Sequence, residues 1–148
     1  MYLDTAIIVK LLVREPDSEW FNTALLGQHF ETSELALAEV RSALLAKERN
    51  GAITSPERIR AGEKFLAMAE DDIIRILPLN RQTIERAIAI QQACHPHIAF
   101  RTLDALHVAT CDLHRSAALV TTDSRMRQAC SQLAIGLLPK STETMPPA

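Results

Sequence analysis

Ala117-Ala118-Leu119-Val120-Thr121-Thr122-Asp123-Ser124-Arg125 joins a short apolar, β-prone run to an aspartate and then to the opening of a helix. The same grammar stands near position 1, where Tyr2-Leu3 precedes Asp4, with Thr5 expected to cap a helix running through Ile8 to Leu12. A short strand that is apolar throughout is buried on both faces. When a helix follows it at once, the pair reads as a unit of a parallel sheet with helical crossovers.

Outward from these two units, the remaining punctuation repeats the pattern. Glu15-Pro16 closes the first helix, and a second runs from about Asp17 to Gly27. A weak strand is expected over His29 to Thr32. A long helix then begins at Ser33-Glu34 and stops at Asn50-Gly51, both tolerant of left-handed backbone. Ser55-Pro56-Glu57 predicts the next helix, to about Asp71, with Ser55 as N-cap and Pro56 at the first helical position. Ile73 to Leu77 is a strand limited by Pro78, and a helix covers Arg81 to Ala93. His95-Pro96-His97 forms a loop before a helix from Thr102 to Leu113. Ala117 to Thr121 is a buried strand, Ser124 to Cys130 a helix, and Ala134 to Leu138 the last strand. Such alternation predicts an α/β fold with right-handed crossovers, a mainly parallel sheet covered on both faces, and a site beyond the carboxyl ends of its strands.

The 148 residues and their 47% hydrophobic content suffice for one core and leave no room for a second domain. The domain is expected over residues 1–139, with 140–148 a flexible tail. A formal charge of -2 argues against a high-affinity coat protein for DNA, which relies on phosphate neutralisation, but not against an enzyme that holds RNA briefly. Cys94, Cys111 and Cys130 are odd in number and form no C-x-x-C pair, which favours reduced thiols in a cytoplasmic setting. The apolar run Ala6 to Val13 contains Lys10 and is too short to cross a bilayer, and no secretory leader is read.

Four acids stand out. Asp4 and Asp123 each follow a strand, where either a cap or turn role or a ligand role is open. Glu39 has Leu35, Ala36, Ser42 and Ala43 as its helical neighbours, three of the four apolar, so a carboxylate sits on a semi-buried stripe and needs a partner. Asp104 opens an otherwise apolar helix, where stabilisation by the helix N-terminus is the alternative. Carboxylates brought together from such positions repel one another unless a divalent ion intervenes. Mg²⁺ or Mn²⁺ would also activate water and neutralise charge on phosphate oxygens.

The segments Tyr2 to Lys10, Ser33 to Ala43, Leu103 to Thr110 and Val120 to Met126 carry these acids, and together they resemble the acidic motifs of PIN-domain nucleases, the VapC toxins above all. The likeness spans about residues 2–138. It implies a PIN-like three-layer α/β/α sandwich and Mg²⁺- or Mn²⁺-dependent cleavage of RNA. By motif position, Asp4 and Asp104 would ligate the ion, Glu39 would ligate it or orient water, and Asp123 would act through water. Ala6 departs from the pattern, because relatives often carry a hydroxyl there. The resemblance further implies a homodimer and a small antitoxin protein that blocks the site, with no direct DNA binding by the toxin itself.

Thr5 and Thr122 are candidates for holding the acids, against plain capping roles. Lys10, Arg14, Arg41 and Arg101 are candidates for guiding phosphate oxygens, against solvated or salt-bridged roles. Trp20, Phe21, Leu25 and Leu26 read as core residues first and as an interface second. His107, Cys111 and His114 share one helix and admit a zinc reading, alone or with Cys94, His95 or His97, though core packing is the simpler account. A metal-dependent endoribonuclease is therefore expected. The alternatives are a Mg²⁺-dependent phosphatase or phosphotransfer enzyme, for which Asp4-Thr5-Ala6 lacks an Asp-x-Asp pair, and a non-catalytic interaction or signalling domain in which all four acids are structural.

Overall fold

The protein was analysed as a computed structural model that describes residues 1–140. The chain runs β1 (Tyr2–Leu3), α1 (Thr5–Leu12), α2 (Ser18–Ala24), β2 (Phe30–Ser33), α3 (Leu35–Arg49), α4 (Ser55–Glu70) and β3 (Ile74–Leu77). It continues through α5 (Arg81–Cys94), α6 (Thr102–Leu113), β4 (Leu119–Val120), α7 (Ser124–Gln132) and β5 (Leu137–Leu138). All five strands are parallel, in the order β3-β2-β1-β4-β5, so β1 and β4 lie side by side in the centre. The α/β reading holds, and the tail expected from Lys140 lies, from residue 141 on, outside the described residues.

Strand alternation divides the core in two. Tyr2 and Leu119 face one side and pack with Ala87, Ile90, Val108 and Ala129 of α5, α6 and α7. Leu3 and Val120 face the other and pack with Ile7, Phe21, Val40 and Phe65 of α1 to α4. These two apolar layers on one sheet make the three-layer sandwich. Phe21 and Leu25 are core residues, Trp20 is partly buried against them, and Leu26 is exposed.

Several boundaries differ from the sequence-based expectation. Asp4, not Thr5, caps α1, its side chain accepting from the Ile7 amide. Thr54, not Ser55, caps α4, because only at Thr54 do hydroxyl and backbone complete a reciprocal capping box with Glu57. The second strand is shifted one residue on, to Phe30–Ser33, where pairing with all four residues of β3 sets its register. The last strand shrinks to Leu137–Leu138, because Ala134 takes a left-handed φ of 56° that closes α7 and cannot continue a strand. Gly136 then lets the chain approach β4: a Cβ there would stand 2.5 Å from the Ala117 carbonyl oxygen.

Candidate active site

The carboxyl ends of β1 and β4 release the chain at one level, because Leu3 pairs with Val120. Asp4 leaves β1 there, and Thr121, Thr122 and Asp123 leave β4 beside it. Asp4 is 4% exposed, and its two oxygens are both engaged: Oδ1 accepts from the Ile7 amide at 2.8 Å and Oδ2 from the Thr121 hydroxyl. The same hydroxyl accepts from the Asp123 amide at 3.0 Å. Thr121 is fully buried and ties the two strand ends together, so the hydroxyl at Asp4 comes from Thr121 and not from Thr122.

Asp123 caps α7, its Oδ1 accepting from the Arg125 and Met126 amides at 2.9 Å each. Capping uses one oxygen, and its charge still reaches the other acids. Burial pushes the Asp4 carboxyl above the ordinary range; the hydrogen bonds from Thr121 and Ile7 and the nearby His107 offset only part of this, and Asp123 adds to it. Asp104, in the first turn of α6, is raised by burial and by the negative charge of Asp123, against the pull of Arg101, His107 and Arg125. Its carboxylate makes no hydrogen bond or ion pair with another described residue.

Glu39 lies in α3, just past the carboxyl end of β2. Its Oε2 accepts from Thr5 Oγ1 at 2.5 Å and faces His107 Nε2 at 2.7 Å. Burial works to raise this carboxyl, but the hydrogen bonds from His107 and Thr5 outweigh it and leave the group below its ordinary range. His107 is thus the hub of the constellation: it bonds to Glu39 and its charge acts on Asp4 and Asp104. The sequence alone sets it beside Cys111 and His114 as a zinc candidate. In the fold its nitrogens face Glu39 and Tyr2, and burial pushes the neighbouring Cys111 thiol up to about 12, away from the thiolate a zinc ion needs. The signal for His107 was its position three residues after Asp104, on the same helical face.

The basic candidates separate. Arg101 stands near Asp104, joined by Arg125, which the sequence reading did not single out. Lys10 is engaged with Glu15 at 2.9 Å and Asp17 at 2.7 Å. Arg14 is exposed after α1, and Arg41 lines a cavity of about 280 Å³ between α3 and α4 with Leu37, Ile59 and Leu66.

Carboxylate oxygens are hard donors suited to Mg²⁺ or Mn²⁺. The unpartnered carboxylate of Asp104 and the repulsion of Asp123 on both Asp4 and Asp104 fit a site that balances its charge with a cation. Among the described residues, no group of three or more His, Cys, Asp or Glu side chains is arranged as a ready-made metal cage. The donor chemistry fits, and a full ligand set would need side-chain adjustment or water.

A family model for the PIN domain matches residues 1–131. The chain is 35% identical over 147 residues to Ribonuclease VapC46 of Mycobacterium tuberculosis, covering 95% of this chain and 98% of the relative. The crystal structure of M. tuberculosis VapC20, a sarcin–ricin loop cleaving toxin, superposes with a TM-score of 0.67 at 15% identity, covering 86% of this chain and 93% of that one. A toxin–antitoxin complex from Klebsiella pneumoniae is similar with a TM-score of 0.57 at 19% identity, covering 84% and 87%. With a strand-end acid pair, a helical third acid and a full-length relative in agreement, the chain belongs to the PIN-domain family, in its VapC branch.

Proposed function

We propose that this chain is a Mg²⁺- or Mn²⁺-dependent endoribonuclease, the toxin of a toxin–antitoxin pair, acting in the cytoplasm as a homodimer. What supports the reading is that Asp123 acts electrostatically on both Asp4 and Asp104 beside the carboxyl ends of β1 and β4, in a chain that matches a ribonuclease over nearly its full length. No helix among the described residues is long and apolar enough to cross a membrane. The nuclease domain would span residues 1–139.

In this reading Asp4 and Asp104 hold the cation, Glu39 ligates it or orients the attacking water, and Asp123 acts through water. The cation, when bound, supplies Lewis acidity to the phosphate and lowers the pKa of water. Thr121 and Thr5 hold the acids in orientation. Arg101 and Arg125 add positive charge near Asp104, where a phosphodiester oxygen would approach. A small antitoxin protein is the proposed partner, supported by the K. pneumoniae complex of similar fold. No direct DNA binding is proposed for the chain alone.

End-mapped cleavage of total cellular RNA, with and without Mn²⁺, tests the reading. Metal-dependent ends that disappear in a folded D104N variant are expected. Intact RNA after incubation with metal-loaded, antitoxin-free protein would sink it.

A further inference from the structure

Glu39 Oε2 receives two hydrogen-bond donors, Thr5 Oγ1 and His107 Nε2, whereas its Oε1 makes no hydrogen bond to a described residue. An ionised carboxylate only accepts, so Nε2 carries a proton whichever charge the ring has. The other ring nitrogen, Nδ1, faces the Tyr2 hydroxyl at 2.7 Å, and a hydroxyl can donate or accept there. Both residues are deeply buried, Tyr2 at 0% and His107 at 3% exposure, with their rings edge to face and centroids 5.8 Å apart. Glu39 keeps 22% of its side chain exposed.

This polarity has no need in the core. Glu39 reaches solvent without help, and an apolar residue at position 107 would pack in α6 as Val108 and Ala109 do. Instead a chain of two hydrogen bonds runs from β1 through α6 to α3 and ends on one carboxylate oxygen. We propose that Tyr2 and His107 form a positioning relay that clamps Glu39 Oε2 and presents Oε1 as the single oxygen offered to the site. The inference rests on the ribonuclease reading above. Neither Tyr2 nor His107 touches substrate. Their effect is to select one rotamer of a flexible side chain before cation and water arrive, which is how a supporting hydrogen bond tunes a ligand.

The test uses the full chain in three measurements: nitrogen-15 shifts of His107 without metal, Mn²⁺ affinity by water-proton relaxation, and RNA cleavage rate. The wild type should show a protonated Nε2. H107L should weaken Mn²⁺ binding and slow cleavage by about 10- to 100-fold, the range for lost supporting partners. H107Q, whose amide can still donate to Glu39, should recover most of that loss. The double variant E39Q/H107L should fall much less below E39Q than H107L falls below the wild type, since the relay acts through Glu39 and only the lesser influence of His107 on Asp4 and Asp104 remains. Should H107L fold poorly, Y2F keeps ring and volume and should shift the Nδ1 signal and loosen Mn²⁺ in the same direction. A bare Nε2 in the wild type, additive losses in the double variant, or full Mn²⁺ affinity and rate in folded H107L or Y2F would overturn the relay while leaving the ribonuclease reading intact. A wild type that neither binds Mn²⁺ nor cleaves RNA overturns both.

Discussion

The hydroxyl of Thr121 donates to the carboxylate of Asp4 across 117 positions of sequence, and this side-chain bond joins the ends of the two central strands beside the backbone bond from the Asp4 amide to the Val120 carbonyl. The same oxygen accepts from the Asp123 amide, so a single buried atom orders two of the acids. T121V leaves both the Asp4 oxygen and the Asp123 amide without their partner. A loss of about 2 kcal/mol or more is expected by urea unfolding, from the cost of stranding buried polar groups. T121S should retain most stability, and T122V should change it by less than about 0.5 kcal/mol. Equal losses from T121V and T122V would contradict this arrangement.

Asp104 trades stability for charge at the site. Its carboxylate faces the negative charge of Asp123 and has no hydrogen-bond partner among the described residues. In metal-free protein at neutral pH, D104N should therefore raise the melting temperature. It should also lower cleavage by about 100-fold, on the scale of losing one preorganised charged group. Wild type should gain thermal stability with millimolar Mn²⁺, and D104N should gain less, because ligand binding to the folded state is what stabilises it. A D104N protein less stable than wild type without metal would contradict the repulsion.

Lys10, Glu15, Asp17 and Lys47 form a separate ion-pair network behind α1. Lys10 meets Glu15 and Asp17, and Lys47 meets Glu15 at 2.6 Å. Burial works to raise Glu15, but hydrogen bonds and charge from Lys47 and Lys10 prevail and hold it below the ordinary carboxylate range. Burial works to lower Lys10, yet Asp17 and Glu15 prevail and raise it. For Glu15 the depressed value means that its contribution is full above the unfolded pKa and is lost as pH falls through the folded one. For Lys10 the raised value means that its contribution is full below the unfolded pKa and is lost as pH rises through the folded one. The network therefore contributes fully at neutral pH and fades at both extremes. K10M should destabilise the protein most near neutrality. Its effect should shrink on acidification through the Glu15 range; a pH-independent loss in chemical unfolding would argue for packing alone.

Gly136 is held by closeness of backbone to backbone. A side-chain carbon there would meet the Ala117 carbonyl oxygen at 2.5 Å, while Leu119 donates its amide to the Gly136 carbonyl at 2.8 Å. G136A should cost about 1–3 kcal/mol, the range for forced overpacking, and should loosen β5 from β4. Amide exchange at Leu119 and Thr121, whose protons go to Gly136 and Leu138, is the direct readout.

Much of the fold was legible because its determinants are local. Tyr2-Leu3 and Leu119-Val120 are apolar on both faces, each is followed by an aspartate that caps a helix, and Gly51, at a left-handed φ of 72°, stops α3 just past Asn50. Boundaries were less legible where pairing decides them. The one-residue shift of β2 comes from its register on β3, and the short β5 from the left-handed turn at Ala134. The choice of Thr121 over Thr122 was illegible for the same reason: strand residues alternate in direction, and which of two adjacent threonines points at Asp4 depends on the twist and register of β4 against β1.

The sequence by itself determined a parallel α/β domain and which acids stand at strand ends and helix starts, because strand periodicity, caps and turn residues act over a few positions. Only the tertiary structure decided that Thr121 serves Asp4 and that Glu39 takes its partner from His107, 68 positions away, with Tyr2 behind it at 105. The first contact follows from the pairing of β4 with β1, and the second from packing α3 and α6 against opposite faces of that sheet, close to its carboxyl edge. No local propensity encodes them, since each joins segments that only the assembled fold brings together.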